Sequence, residues 1–210
     1  MKGLFIALEG PDGSGKSTIT KLLSDYLRKK GIDFIMTREP GGTSISEEIR
    51  DIILDKENTN MSGETEALLY AASRGQHVHE KIVPSLKQGK LVLCDRFVLS
   101  SLAYQGKGRD LGIEQVKTIN DFAIKGIYPD LILFFHVDPA LTLKRKTKRQ
   151  GGDRLEQEGR DFHQKVYEGY MEVLEMYPKN IKIIDATKSI KNVLNQSIKE
   201  IEDLLKKKGD

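Results

Sequence analysis

Gly10-Pro-Asp-Gly-Ser-Gly-Lys-Ser17 fills every fixed position of the pattern G-x-x-x-x-G-K-[ST]. Chemically it is a glycine-rich turn ending in an ammonium and a hydroxyl. Glycines let the backbone curl until its N–H groups point inward, and the dipole of a following helix adds partial positive charge. That combination binds phosphate. An apolar run, Leu4–Leu8, comes before it and a helical period opens at Lys16, the strand–turn–helix context the pattern requires. The cradle comprises Gly10, Pro11, Asp12, Gly13, Ser14, Gly15, Lys16, Ser17 and Thr18. Lys16 is placed to reach β- and γ-phosphates and the Ser17 hydroxyl to coordinate Mg²⁺. The expected ligand is a nucleoside triphosphate.

A second acidic group must hold such a metal. Leu91-Val-Leu-Cys-Asp95 is an apolar run ending in a carboxylate, which assigns Asp95 to the metal beside Ser17. Arg96 then puts a guanidinium next to the phosphates, suited to bridging donor and acceptor. Cys94, inside the run, reads as a small buried hydrophobe.

These residues need elements to position them. Short apolar runs at Leu4–Leu8, Asp33–Thr37, Leu91–Cys94, Leu131–Val137 and Ile181–Ile184 alternate with segments of helical period. Near-continuous apolar strands separated by helices predict a parallel sheet covered on both faces. The helical segments are Lys16–Lys29, Ser46–Leu54, Glu64–Leu86, Ile113–Lys125, Ala140–Arg149, Phe162–Met176 and Ile190–Lys207. The last carries an apolar stripe, read as core packing, and ends in solvated lysines. The expectation is an α/β, three-layer fold with a five-stranded parallel sheet and the phosphate loop at the end of its first strand. Its 210 residues form a single domain, 1–210.

Composition narrows the class. The 34 basic residues nearly balance 31 acidic ones, so charge does not argue for nucleic-acid binding. The single cysteine excludes an internal disulfide and fits a reducing compartment. No apolar run approaches the ~20 residues of a membrane span, and the chain starts directly in a strand-like run. A soluble cytoplasmic protein is expected. No N/T-K-x-D guanine-reading motif is present, and the spelling D-x-x-G occurs only within the phosphate loop. A small P-loop protein without switch motifs is most economically a kinase for a small acceptor.

Further blocks make that class specific: Thr37-Arg-Glu-Pro-Gly-Gly42, Glu66-Ala-Leu-Leu-Tyr-Ala-Ala-Ser-Arg74, Asp95-Arg-Phe-Val-Leu-Ser-Ser-Leu-Ala-Tyr-Gln-Gly106, Tyr128-Pro-Asp-Leu131 and Asp153-Arg-Leu-Glu156. In this order and spacing the chain resembles the bacterial thymidylate kinases of the nucleoside-monophosphate kinase family, over essentially its whole length. The resemblance implies the three-layer P-loop kinase fold, phosphoryl transfer from ATP, with Mg²⁺, to dTMP, and a homodimer. The apolar helices between residues 64 and 125 are a candidate dimer surface. It implies that Tyr70 stacks on the base, that Arg74 and Gln105 read the pyrimidine edge with Ser101 nearby, and that Arg50 and Arg96 clamp the acceptor phosphate. It places Tyr104 beside the sugar, and Glu39 and Asp12 near the 3′-hydroxyl and metal waters. An arginine donates to a carbonyl at C4 but cannot accept from an amino group there, which favours thymine or uracil over cytosine.

As residues alone, Tyr70 also fits core packing, Arg50 and Arg74 fit surface helix positions, and Tyr104-Gln105 fits a packed loop corner. The run Lys144–Arg149, again as residues alone, fits a solvated helix face; the resemblance implies a lid at roughly 140–160 with an arginine at the transferring phosphoryl, Arg149 and Arg154 being the candidates and Arg145 behind them. Asp185-Ala-Thr187 is similar to the family's adenine-holding loop, and Phe97 stands where the family often has tyrosine or histidine. His77-x-His79 lacks a third ligand, and side chains so spaced on a helix point apart. The neighbouring alternatives are another pyrimidine monophosphate kinase or a deoxynucleoside kinase, the latter having no use for arginines around an acceptor phosphate. A non-catalytic nucleotide-binding regulator is the alternative of another class, against which Lys16, Asp95 and Arg96 argue.

Overall fold

The computed structural model describes residues 3–138, 141 and 152–209. Five parallel strands stand in the order β2-β3-β1-β4-β5. They are β1 (Leu4–Glu9), β2 (Phe34–Arg38), β3 (Leu91–Asp95), β4 (Leu131–His136) and β5 (Ile181–Asp185). Every residue of β1 is buried, whereas the edge strands β2 and β5 are largely half-exposed. The alternation of the strand sorts its side chains into two cores. Phe5 and Ala7 face one side together with Val92, Cys94 and Phe134. Leu4, Ile6 and Leu8 face the other.

The second core is closed by α1 (Lys16–Lys29) and by the C-terminal helix Ile190–Gly209, which supplies Val193 and Ile201. The first is closed by α2 (Ser44–Leu54), α3 (Gly63–His77), α4 (Val83–Lys87), α5 (Val98–Ser101), α6 (Ile113–Ile124) and α7 (Arg160–Met176). The C-terminal helix is α8. The expected sheet and its cover on both faces are present.

Two helical segments depart from expectation. The run expected as one helix over Glu64–Leu86 widens into a π-helical turn at Val78–Ile82 between α3 and α4. Pro84 follows at once; it lacks an N–H and its ring crowds the carbonyl four residues back, which perturbs the ladder there. The block after Asp95 is helical too: α5 runs into a π-helical stretch, Leu102–Gly108. Phe97 through Gly106 are all buried, so no apolar face alternates with a polar one and no helical period is legible.

Register positions the chemistry. Leu8 of β1 pairs with Asp95 of β3 on one side and Leu133 of β4 on the other. β1 therefore ends between strands whose connections leave toward opposite edges of the sheet. That is the switch point at which open α/β sheets bind ligands.

Candidate active site

At the end of β1, Gly10, Gly13 and Gly15 all hold positive φ, and a Cβ on Gly10 would come within 2.7 Å of the Phe135 carbonyl oxygen. The loop they form wraps the Lys16 side chain. Lys16 Nζ donates to the carbonyl oxygens of Gly10 at 2.8 Å and Pro11 at 2.9 Å. Burial, and then the charge of Arg96, pulls the Lys16 pKa down to about 8. Ser17 and Thr18 are exposed at the open side of the loop.

Asp95 stands at the end of β3, lining a cleft of about 260 Å³ together with Ser17. Its Oδ1 is buried with no hydrogen-bond partner among the described residues. A buried carboxylate oxygen without a donor, beside a hydroxyl and a phosphate loop, is a donor set that fits a hard divalent cation.

Arg96 adopts φ of 68°, a left-handed backbone that is uncommon outside glycine and turns its side chain back over the loop. One amine nitrogen donates to Gly10 O at 3.1 Å, Ser100 Oγ at 2.9 Å and the Tyr170 hydroxyl at 3.1 Å. The other bonds Asp12 Oδ1. Tyr104 donates its hydroxyl to Asp12 Oδ2 at 2.7 Å, so the loop carboxylate is held by Arg96 and Tyr104 together. Beneath them lies Glu9, fully buried, which accepts from Phe97 N at 2.8 Å and Ser100 Oγ at 2.6 Å. Burial raises the Glu9 pKa despite these bonds and the charge of Arg96. Glu9 pins the first turn of α5, a role that its place within an apolar strand does not advertise.

The far wall of the cleft carries Arg38, Arg50, Tyr70, Ser101, Tyr104 and Gln105. Arg38 and Arg50 each donate to Pro40 O at 2.8 Å. Burial, and then the neighbouring Arg38, lowers the pKa of Arg50. Arg38 was legible only as part of the Thr37–Gly42 block, where its position at a strand end was the available signal. Asp153 and Glu156 reach the same cleft from the segment after residue 151.

Glu39 lines the cleft, but both of its oxygens are engaged. Oε2 accepts from Arg74 Nε at 2.6 Å and Oε1 meets His77 Nδ1 at 2.9 Å. Arg74 itself is 2% exposed and stands behind the wall. It donates to Ser101 Oγ at 2.9 Å and Phe97 O at 2.9 Å, and bonds Asn120. Ser101, not Arg74, is the surface that the cleft meets. His77 is buried between Glu39 and Thr37, while His79 points out to solvent. Phe97 places its ring edge-on to Phe5 and beneath the Arg74 guanidinium, a packing role that needs no polar atom.

Arg154 is engaged within the fold. It is 9% exposed, donates from Nε to Ile53 O at 2.9 Å and from an amine nitrogen to Glu66 Oε2 at 2.7 Å. These bonds hold it in the cleft's supporting wall. Arg145 and Arg149 lie outside the described residues, as does most of the segment expected as a lid. The Asp185–Thr187 loop folds on itself, Thr187 N donating to Asp185 Oδ1 at 3.0 Å at the end of edge strand β5. Cys94 is buried, and burial drives its thiol pKa well up.

The comparisons agree with this geometry. The thymidylate kinase family model matches residues 8–197. A thymidylate kinase of Finegoldia magna is 59% identical over 199 residues, 95% of this chain and 98% of the relative. Thymidylate kinases of Clostridium novyi and of a Geobacillus species are 52% and 51% identical, over 93% and 97% of this chain and 96% and 98% of theirs.

Proposed function

Because this chain belongs to the thymidylate kinase family, we propose that its cleft moves the γ-phosphoryl group of ATP to the phosphate of dTMP, giving dTDP and ADP. The supporting observation is Arg96. It is tied to the phosphate loop at Gly10 and Asp12 while lining the cleft that holds Arg38 and Arg50. One guanidinium thus spans a donor half and an acceptor half of a single site.

In the donor half, the loop N–H groups, Lys16, Ser17 and Thr18 hold the ATP phosphates. Ser17 and Asp95 are the residues that would hold Mg²⁺, which when bound neutralises charge on the phosphates. In the acceptor half, Arg50, with Arg38 beside it, grips the dTMP phosphate. Tyr70 offers a stacking face, and Ser101 and Gln105 meet the base edge, with Arg74 supporting Ser101 from behind. Tyr104 and Asp12 border the sugar. The reaction needs little from a protein base: holding attacking and transferred phosphates in line and cancelling their charge supplies most of the rate. Arg149 is the lid arginine assigned to the transferring group.

The site is served by one domain with a lid in the region 140–160. Exposed Ile45 and Ile52 on α2, Leu68 on α3 and Phe122 on α6, which is 84% exposed, lie on helices that pack in sequence α2–α3–α6. This surface supports a homodimer. Among the described residues no helix is long and apolar enough to cross a membrane, and a cytoplasmic location suits the small soluble substrates. The deciding experiment measures ADP release with dTMP, dCMP, dUMP and thymidine. Turnover is expected to be fastest with dTMP. Thymidine outperforming dTMP, or no turnover with either, overturns the reading.

A further inference from the structure

Gln105 sits in the π-helical stretch with its side chain in the cleft, 1% exposed. Its amide has two faces of opposite chemistry: Nε2 donates two hydrogens and Oε1 only accepts. Which face meets a ligand depends on what holds the other. Nε2 donates to Glu66 Oε1 at 2.9 Å. Glu66 is wholly buried, and Arg109 and Arg154 also bond its carboxylate, at 2.9 Å and 2.7 Å. Burial alone would raise the Glu66 pKa, but hydrogen bonds from Arg109 and Gln105 bring it below the usual carboxylate value. An ionised carboxylate can only accept. The group it faces must therefore be the amide nitrogen, whatever rotamer Gln105 would choose unaided. Oε1 is left to the other side, where no described residue donates to it.

We propose that Glu66 is a specificity-determining positioning residue, one that locks the Gln105 amide so that its acceptor oxygen meets the base. The inference rests on the assignment of a pyrimidine monophosphate to this cleft. Thymine and uracil carry a hydrogen on N3 and match an acceptor there. Cytosine carries a lone pair on N3, which an amide oxygen repels. Neither Tyr70, which stacks on any base, nor the arginines at the phosphate discriminates at this position. The choice between the two edges is made one layer away from the base, by a charge that the base never touches. Arg109 and Arg154 keep that charge ionised in a buried setting, which gives both guanidinium groups a function in the supporting layer.

The test is Glu66→Gln, nearly isosteric but able to donate or accept, so that Gln105 is free to turn its amino group toward the cleft. The ratio of kcat/KM for dTMP over dCMP is expected to fall by about 10- to 100-fold, through opposite movements of the two KM values, with the KM for ATP unchanged. Glu66→Asp, which withdraws the carboxylate from Gln105 but keeps it an acceptor, is expected to lower the ratio less; it also serves if the Gln variant does not fold. Arg109→Gln removes one charge partner of Glu66 and leaves Arg154 and Gln105 on the carboxylate, so Tm falls and, with Glu66 still ionised by Arg154, the ratio holds. In a Gln105→Ala background, Glu66→Gln is expected to leave the already lowered ratio where it is. A wild-type ratio in both Glu66 variants, or an equal fall with Gln105 absent, overturns the proposal. Wild-type protein that does not phosphorylate dTMP overturns the assignment of the cleft instead, so the two failures are distinct.

Discussion

Arg38 and Arg50 donate to the same carbonyl oxygen, that of Pro40, each at 2.8 Å. Two guanidinium groups converging on one neutral acceptor repel each other, and the lowered pKa of Arg50 records its burial and then that repulsion, only partly offset by Glu47 and Asp153. Arg38 has a carboxylate of its own, Glu47 Oε2 at 3.0 Å.

Arg50 is therefore the group with most to gain from an incoming phosphate. Arg50→Ala is expected to raise the KM for dTMP by about 10- to 100-fold, the value of a lost charge-assisted hydrogen bond of roughly 1.5–3 kcal/mol. The KM for ATP should stay within about twofold of wild type. Steady-state kinetics varying each substrate in turn separates the two. A matched rise in both KM values would place Arg50 outside the acceptor half.

Lys16 carries a pH dependence of definite sign. Its ammonium is buried, and its pKa of about 8 lies below the ordinary lysine value of 10.5. In the free protein the charged form is the costly one. Stability is thus lower below about pH 8 and rises between there and the lysine's ordinary pKa. ATP binding runs the other way: phosphate favours the ammonium, so binding takes up a proton once Lys16 has begun to lose its own. Affinity for ATP is expected to weaken by up to tenfold per pH unit above about pH 8, with proton uptake visible by calorimetry in buffers of different ionisation heat. Lys16→Met should bind weakly and without that slope. A slope that persists in the variant assigns it to another group.

The legible parts of this molecule were those whose local chemistry is self-sufficient. The phosphate loop needs only its own glycines and the helix behind it, and β1, β3 and β4 are buried on both faces and so spell continuous apolar runs. The central helix from Val98 to Gly108 was not legible, because burial all around it erases the period by which helices are read. The depth of a charged side chain was equally hidden. Arg74 and Arg50 look alike in sequence, yet one is walled in by Glu39, Ser101 and Asn120 and the other opens on the cleft. Glu66 and Glu9 share this property: their partners come from residues 39 to 91 positions away, and no local pattern announces them.

Arg154 and the lid should separate by observable. Removing Arg154 leaves the buried Glu66 carboxylate with one charge partner fewer. Arg154→Ala is expected to cost about 1–3 kcal/mol of stability, several degrees of Tm, with turnover at saturating substrate reduced only modestly. Arg149→Ala should behave inversely, with an unchanged Tm and kcat lower by about 10³-fold or more if its guanidinium meets the transferring group. Calorimetry and saturating kinetics on both variants decide it. A large loss of kcat without loss of Tm in Arg154→Ala would show that it leaves Glu66 and serves the phosphoryl group.

Asp95 gives the sharpest contrast between stability and chemistry. A structural carboxylate at a strand end finds donors, and its removal destabilises the fold. Asp95 Oδ1 is buried without one, a condition that costs about 1–3 kcal/mol for a polar group and more for a charge. Asp95→Asn removes the charge while keeping the shape. The unliganded protein is expected to melt at the wild-type temperature or above. Turnover at saturating ATP should fall by about 10²-fold or more, and the Mg²⁺ concentration for half-maximal rate should rise, since the lost carboxylate is assigned to the metal. Thermal unfolding without ligands and a Mg²⁺ titration of the rate are both required. A lower Tm with an unchanged Mg²⁺ requirement would make Asp95 a structural residue and move the metal to other ligands. A stable variant with an impaired Mg²⁺ response means that the strain at the end of β3 is held in place for the cation.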